Sequence, residues 1–337
     1  MQTCDTQPKT KRRHQPLTPW ELTQLLTPMH TYRRTKQKRR IERPHFARIL
    51  AFVHRNRFAV ASQIQRRFSD VLRSDRTARR HLEQMEALGY LGVAPARGVG
   101  PLFPKVFYVT GCGVRKLSDS LNKRGKPWQA VRVDRRGRQA GEGYSAEQII
   151  HELMITEFLL GVWETGNRQP ETKILAMERR SLMKHPAFSC AVGRQTTRLK
   201  PDAMFLVRHD PGGMICNFVE VDLGNMGKKQ LRAKFKRYEA WSQSAGGQQY
   251  LIDLYKRHGA AEPRPIFRLL VIAKDRVQTD DRRRLVEIAR SLKGLSDSLR
   301  NRIRMATVAD LRSHQQRNGI LATELWKRIE EVEGIEI

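Results

Sequence analysis

From His45 onward, apolar residues recur at helical spacing in three short blocks, residues 46–54, 59–68 and 75–88. The third is the clearest: Ala78, Leu82, Met85 and Leu88 share one face, and Ser74 stands where an N-cap is needed. Arg76, Thr77, Arg79, Arg80 and Gln84 occupy the opposite face. Gly89 ends the block, residues 91–93 and 106–110 read as two strands, and the Gly/Pro/basic loop PARGVGPLFPK runs between them.

Helix, helix, helix, strand, loop, strand is the order of a winged helix-turn-helix, placed here at residues 43–121. Polar and Gly-containing residues around DRRGRQAGEG mark a linker at 122–143. Beyond it, Ser145 and Gln148 form a capping-box pair. The helix they open, to about residue 164, is apolar on more than one side and therefore predicted to be buried.

Strand candidates follow at residues 173–182, 203–207 and 214–223, then a basic helix at 227–244 and a buried strand at 267–273. The resulting α-β-β-β-α-β order predicts an α/β domain over residues 144–312, followed by a C-terminal helical segment at 313–337. The fold class expected is a two-domain mixture, α+β and α/β.

Composition adds a partner class. Hydrophobic residues make up 39% of the 337, enough to fill two cores. Lys and Arg number 64 against 34 Asp and Glu, a formal net charge of +30 that favours a polyanion. The clusters Lys11-Arg12-Arg13, Arg33-Arg34 and Lys36 to Arg40 lie in residues 1–42, read as a basic arm that adds phosphate contacts. The sequence contains neither an apolar run of bilayer length nor a secretory leader, so a cytoplasmic protein without a membrane partner is expected. Its four cysteines form no C-x-x-C pair, which argues against a zinc knuckle and a disulfide framework.

In a helix-turn-helix the second helix of the pair lays its polar face in the major groove, where Arg reaches guanine and Thr or Gln meets other base edges. Arg76, Thr77, Arg79, Arg80 and Gln84 are the expected base-reading residues, with Arg97 and Lys105 contributed by the wing. Double-stranded DNA is the expected partner. A homodimer is a further candidate.

The segments PDAMFLV and NFVEVDLGNMGKKQLRAKFKRYEAW carry the second candidate chemistry. Side chains alternate along a strand, so Glu220 and Asp222 share a face, and a hairpin would bring Asp202 alongside. Three carboxylates converging there would suit Mg²⁺, a hard cation able to activate water for phosphodiester cleavage.

With the α-β-β-β-α-β order, Pro201-Asp202 and Glu220-Val221-Asp222 resemble the PD-(D/E)xK nuclease superfamily. The chain departs from that pattern where the superfamily has lysine, since Asp222 stands there. The resemblance implies Asp202 and Glu220 as catalytic residues, with Lys234 supplying the ammonium from the next helix. It also implies Glu152 as an acidic partner from the first helix, so the metal set would be Asp202, Glu220, Asp222 and Glu152. If the domain is inactive, no cofactor is expected.

From about residue 40 to 275, RTARRHLEQMEALGYL, PDA, FVEVDLG and the Lys234/Tyr238 pair resemble the bacterial replication-relaxation family. That resemblance implies plasmid or mobile-element replication and mobilisation, with other replication or mobilisation proteins as partners. Two functions remain open: a sequence-specific DNA binder with a noncatalytic second domain, and a metal-dependent DNA endonuclease targeted by the winged helix. A relaxase would need an H-x-H cluster, which none of the ten histidines forms. A P-loop needs four residues between its glycines where Gly224 and Gly227 have two.

Overall fold

The computed structural model describes residues 43, 45–94, 104–122, 144–179, 186–210, 213–274, 281–317 and 319–334. The basic arm, Arg97 of the wing loop and all but the first residue of the expected linker lie outside them.

Phe46–Asn56 forms α1, Ala59–Val60 β1, Ala61–Arg67 α2 and Asp75–Ala87 α3. Leu91–Val93 and Val106–Val109 are β2 and β3, and Gly111–Asn122 is α4. The Ser74 hydroxyl accepts a hydrogen bond from the Thr77 amide at 3.2 Å, which satisfies one of the donors orphaned at a helix start. Gly89 adopts φ +73°, a left-handed conformation that glycine takes without a Cβ clash. Ala78, Leu82 and Met85 of α3 pack with Ile49, Leu50 and Ile64 in the core of this first lobe.

One local expectation changes. Ala59 and Val60, read as the start of a helix, instead pair antiparallel with Phe107 and Val106, giving a three-stranded sheet of order β1-β3-β2. Both residues are buried, and the ladder satisfies backbone groups that water cannot reach. Residues 111–122 form a helix that fills the stretch between β3 and the expected linker. Gly113 is required for its packing: a Cβ there would lie 2.2 Å from the Tyr90 carbonyl oxygen.

In the second lobe, Ala146–Arg168 is α5, Thr172–Glu178 β4, Ala203–His209 β7 and Gly213–Asp222 β8, with Ser189–Val192 (β5) and Gln195–Arg198 (β6) forming a separate hairpin. Lys228–Gln243 (α6) and Ala245–Arg257 (α7) lead to Phe267–Ala273 (β9), and Asp281–Ser291 (α8) and Asp297–Arg300 (α9) to Ile303–Thr307 (β10). Val308–Arg317 (α10) and Ile329–Glu333 (α11) complete it. The main sheet has the order β10-β9-β8-β7-β4, antiparallel from β4 to β8 and parallel from β8 to β10. A parallel neighbour demands a crossover, which α6 and α7 supply between β8 and β9.

Strand alternation divides the core. Phe218, Leu206 and Leu269 face α6, α7 and α8, whereas Val219, Val221, Phe205 and Ile272 face α5 and α10. Glu220 and Asp222 are therefore on the Phe218 side, beneath α6 and α8. The expected boundary at residue 312 falls inside α10, and Ile320, Leu325, Ile329 and Val332 are buried, so the C-terminal residues complete the core.

The described residues of both lobes belong to one compact unit. Phe58, Val60, Val106 and Tyr108 of the first lobe share an apolar cluster with Ile149 and Leu153 of α5. Charged groups reinforce the contact: Arg66 pairs with Glu157 and, at 2.7 Å, with Glu164. Arg67 lies 4.1 Å over the Trp163 ring. Among the described residues, no helix is long and apolar enough to cross a membrane.

Candidate functional site

On α3, Arg76, Arg79 and Arg80 are exposed, Thr77 and Gln84 half-buried, and Ala78, His81, Leu82 and Met85 buried. The helix thus turns its cationic side to solvent. Arg79 forms an i,i+4 pair with Asp75 at 2.5 Å, and Lys105 lies 3.9 Å from Glu86. Thr77 faces the Ser74 hydroxyl at 3.0 Å, close to the helix start. Exposed pairs of this kind contribute little to stability, so they leave the guanidinium groups available to a stronger anion.

The carboxylates of the second lobe collect where β8 ends. Asp202 precedes β7, and its Oδ2 accepts a hydrogen bond from the Val221 amide at 2.8 Å. Lys234, on α6, forms an ion pair with Glu220 Oε2, and its Nζ lies 3.9 Å from Asp202 Oδ2. One helical turn further on, the buried Tyr238 hydroxyl donates to Glu220 Oε1 at 2.5 Å. Asp202, Glu220 and Lys234 are thus brought together.

Their protonation follows from burial and from one cation serving two anions. Burial would raise the Asp202 carboxyl, but Lys234 and His151 outweigh it and hold the group far below the usual carboxylate range. Burial pushes Glu220 up to about 8, with the Asp202 charge adding to the rise while Lys234 and Tyr238 oppose it. Lys234 stays protonated above its ordinary range because the two carboxylates overcome its burial.

His151 of α5 stands beside them. Its Nε2 is 3.0 Å from the Val221 carbonyl and 3.4 Å from Asp202 Oδ2. Burial would lower its pKa, but Asp202 and the carbonyl raise it. Sequence reasoning passed over this histidine, although it directly precedes Glu152.

Asp222 and Glu152 are committed elsewhere. Arg284 of α8 donates to both Asp222 oxygens, at 3.1 and 2.8 Å, and to the Met226 carbonyl at 2.6 Å. Glu152 pairs with Arg57 at 2.9 Å and with the buried Arg179 at 2.6 Å. Arg179 also donates to the Asn56 carbonyl at 2.7 Å, so this charge cluster ties the two lobes together. Arg57 itself has φ +66°, the only non-glycine residue in the left-handed region among the described residues.

The expected three-carboxylate convergence is therefore not what these side chains form. Among the described residues, no group of three His, Cys, Asp or Glu side chains is placed to hold a metal ion. Both oxygens of Glu220, Asp222 and Glu152, and Oδ2 of Asp202, face ammonium, guanidinium, hydroxyl or amide donors, which is a poor fit to Mg²⁺. A pocket of about 380 Å³ remains above them, lined by Arg57, Tyr144, His151, Asp202 and Lys234 among others. None of Arg57, His151, Arg179 and Arg284 carried a motif, whereas Pro201-Asp202, Glu220-Val221-Asp222 and the 4-residue spacing of Lys234 and Tyr238 signalled the other members of this network.

No curated protein and no solved structure matches the chain. The family model described as replication-relaxation matches residues 50–252, from α1 in the first lobe through α7 in the second. The match covers more than half of the sequence and both candidate sites, and the chain belongs to the replication-relaxation family.

Proposed function

We propose that this chain is a sequence-selective duplex-DNA-binding protein acting in replication or mobilisation of a plasmid or mobile element. Its first lobe serves as a winged helix-turn-helix with α3 as the reading helix, and its second lobe is a PD-(D/E)xK-like domain used as a noncatalytic platform. The observation that carries this reading is the two-sidedness of α3, with Ala78, Leu82 and Met85 buried while Arg76, Arg79 and Arg80 project to solvent. Arginine on such a face matches the acceptor edge of guanine. Family membership supports the replication or mobilisation context.

The platform reading draws on the charge pairing of the second lobe. Every carboxylate of the expected metal set has a protein cation near it, as a structural network requires. Titration of labelled duplexes with the full-length chain tests the proposal: one sequence should bind at least tenfold more tightly than scrambled duplexes, and equal binding of all would contradict it.

One observation favours the endonuclease as a second reading: Lys234 reaches Asp202 and Glu220, as that chemistry requires. Incubating supercoiled plasmid with the protein and Mg²⁺ or Mn²⁺ separates the readings. Nicked or linear product that disappears with Asp202→Ala would establish the endonuclease, and intact plasmid would leave the platform.

A further inference from the structure

The second lobe carries a cationic surface that the network around Glu220 does not use. Lys228, Lys229, Arg232 and Lys236 are exposed on α6, and none of the four forms an ion pair with another described residue. The one acidic residue of that helix, Glu239, accepts a hydrogen bond from the Ser296 amide at 2.7 Å. On α8 and just beyond it, Arg283, Arg290 and Lys293 are exposed as well.

The two helices lie side by side and run in the same direction. Arg284 reaches the Met226 carbonyl at the start of α6. Further along, a Cβ on Gly294 would lie 3.0 Å from the Arg232 guanidinium. Glu239 and Ser296 meet further on still. These contacts set the two helices side by side, with Arg232 against Gly294, the neighbour of the exposed Lys293.

This arrangement opposes the stability of the isolated fold. Lys228 and Lys229 sit in the first turn of α6, where the helix dipole already presents partial positive charge. Lys228 with Arg232, and Arg232 with Lys236, are like charges at i,i+4, a spacing that weakens a helix. A bound polyanion removes both penalties. The opposite face of α6, with Leu231, Phe235, Tyr238 and Trp241, is buried, and Ile266 is the one large apolar side chain exposed among the described residues. Among the described residues no apolar face is therefore available to enter a bilayer, as a helix lying on a membrane requires.

We propose that the α6/α8 surface is a second contact for duplex DNA, which grips the phosphate backbone without reading sequence while α3 reads bases. The proposal rests on the reading of the chain as a duplex binder. The described residues of the two lobes belong to one compact unit, so both surfaces are carried by a single body.

The test uses the full-length protein and a variant combining Lys228→Gln, Lys229→Gln, Arg232→Gln and Lys236→Gln. Affinity is measured over a salt series for a preferred and a scrambled duplex, and for vesicles rich in phosphatidylserine. The variant should lose affinity for both duplexes by the same factor, and its salt slope should fall by about 0.9 for each phosphate contact removed. It should melt no lower than the parent, since the substitutions remove like-charge repulsion. A parent that binds duplex and a variant with an unchanged salt slope would overturn this proposal alone. A parent that binds no duplex would overturn both this proposal and the function above, and binding to vesicles in place of duplex would assign the surface to a membrane.

Discussion

Lys234 and Glu220 form an ion pair inside the second lobe, and the same ammonium lies 3.9 Å from Asp202. Removing one side of a buried pair leaves an uncompensated charge, which is costlier than the pair itself is favourable. Lys234→Met should therefore destabilise the protein by about 3–5 kcal/mol at pH 8. At pH 5 the loss should be smaller, because Glu220 then takes up a proton. Denaturant melts at the two pH values check this, and an equal loss at both would show that Glu220 does not titrate as described.

The pH dependence of the parent has a definite sign. Glu220 titrates near 8 in the folded chain and near 4.5 in the unfolded one. Between those values the folded state holds a proton that the unfolded state releases, so this group's contribution to stability falls as pH rises through the window. Glu220→Gln keeps the shape and removes the titration. Its melting temperature should decline less than the parent's between pH 5 and 8, with His151 present in both proteins. Parallel curves would contradict the assignment.

Arg284 is the counterpart on α8, where one guanidinium nitrogen meets both oxygens of Asp222. Arg284→Met should cost about 3–5 kcal/mol, because Asp222 would remain buried without a cation. Arg284→Lys should recover only part of that loss, since an ammonium cannot reproduce the directed donors of the guanidinium. Full recovery by lysine would mean that charge alone matters there.

The junction between the lobes should outlast a cut in the chain that connects them. Trypsin acting between Lys123 and Arg138 should give two fragments that elute together, held by the Glu152 cluster and the apolar contact beneath it. Arg179→Met with Glu152→Ala should let the cleaved fragments separate on size exclusion. Fragments of the unsubstituted protein that part at once would show that the junction does not hold without its covalent link.

Much of the architecture can be read from local pattern. Ser74 and Ser145 cap the helices they were expected to cap, and the alternation of Glu220 and Asp222 with Val219 and Val221 places both carboxylates on one side of β8. What local pattern omits depends on distant partners. Ala59 and Val60 become a strand only because Phe107 and Val106 lie alongside. Asp222 faces Arg284, 62 residues away, and Glu152 faces Arg57 across the lobe junction and Arg179 from within its own lobe. A carboxylate's spacing within its strand identifies its neighbours on that strand, whereas its counter-ion is chosen by tertiary packing.

The central claim, that α3 reads sequence, is tested most directly by selecting binding sites from a random duplex pool with the parent and with Arg76→Ala/Arg80→Ala. The parent should enrich one sequence containing guanines at fixed positions. The variant, with an unchanged melting temperature and retained nonspecific affinity, should lose enrichment at those positions, by about 1–3 kcal/mol of discrimination for each lost contact. The same enriched sequence from both proteins, or none from the parent, would contradict the account.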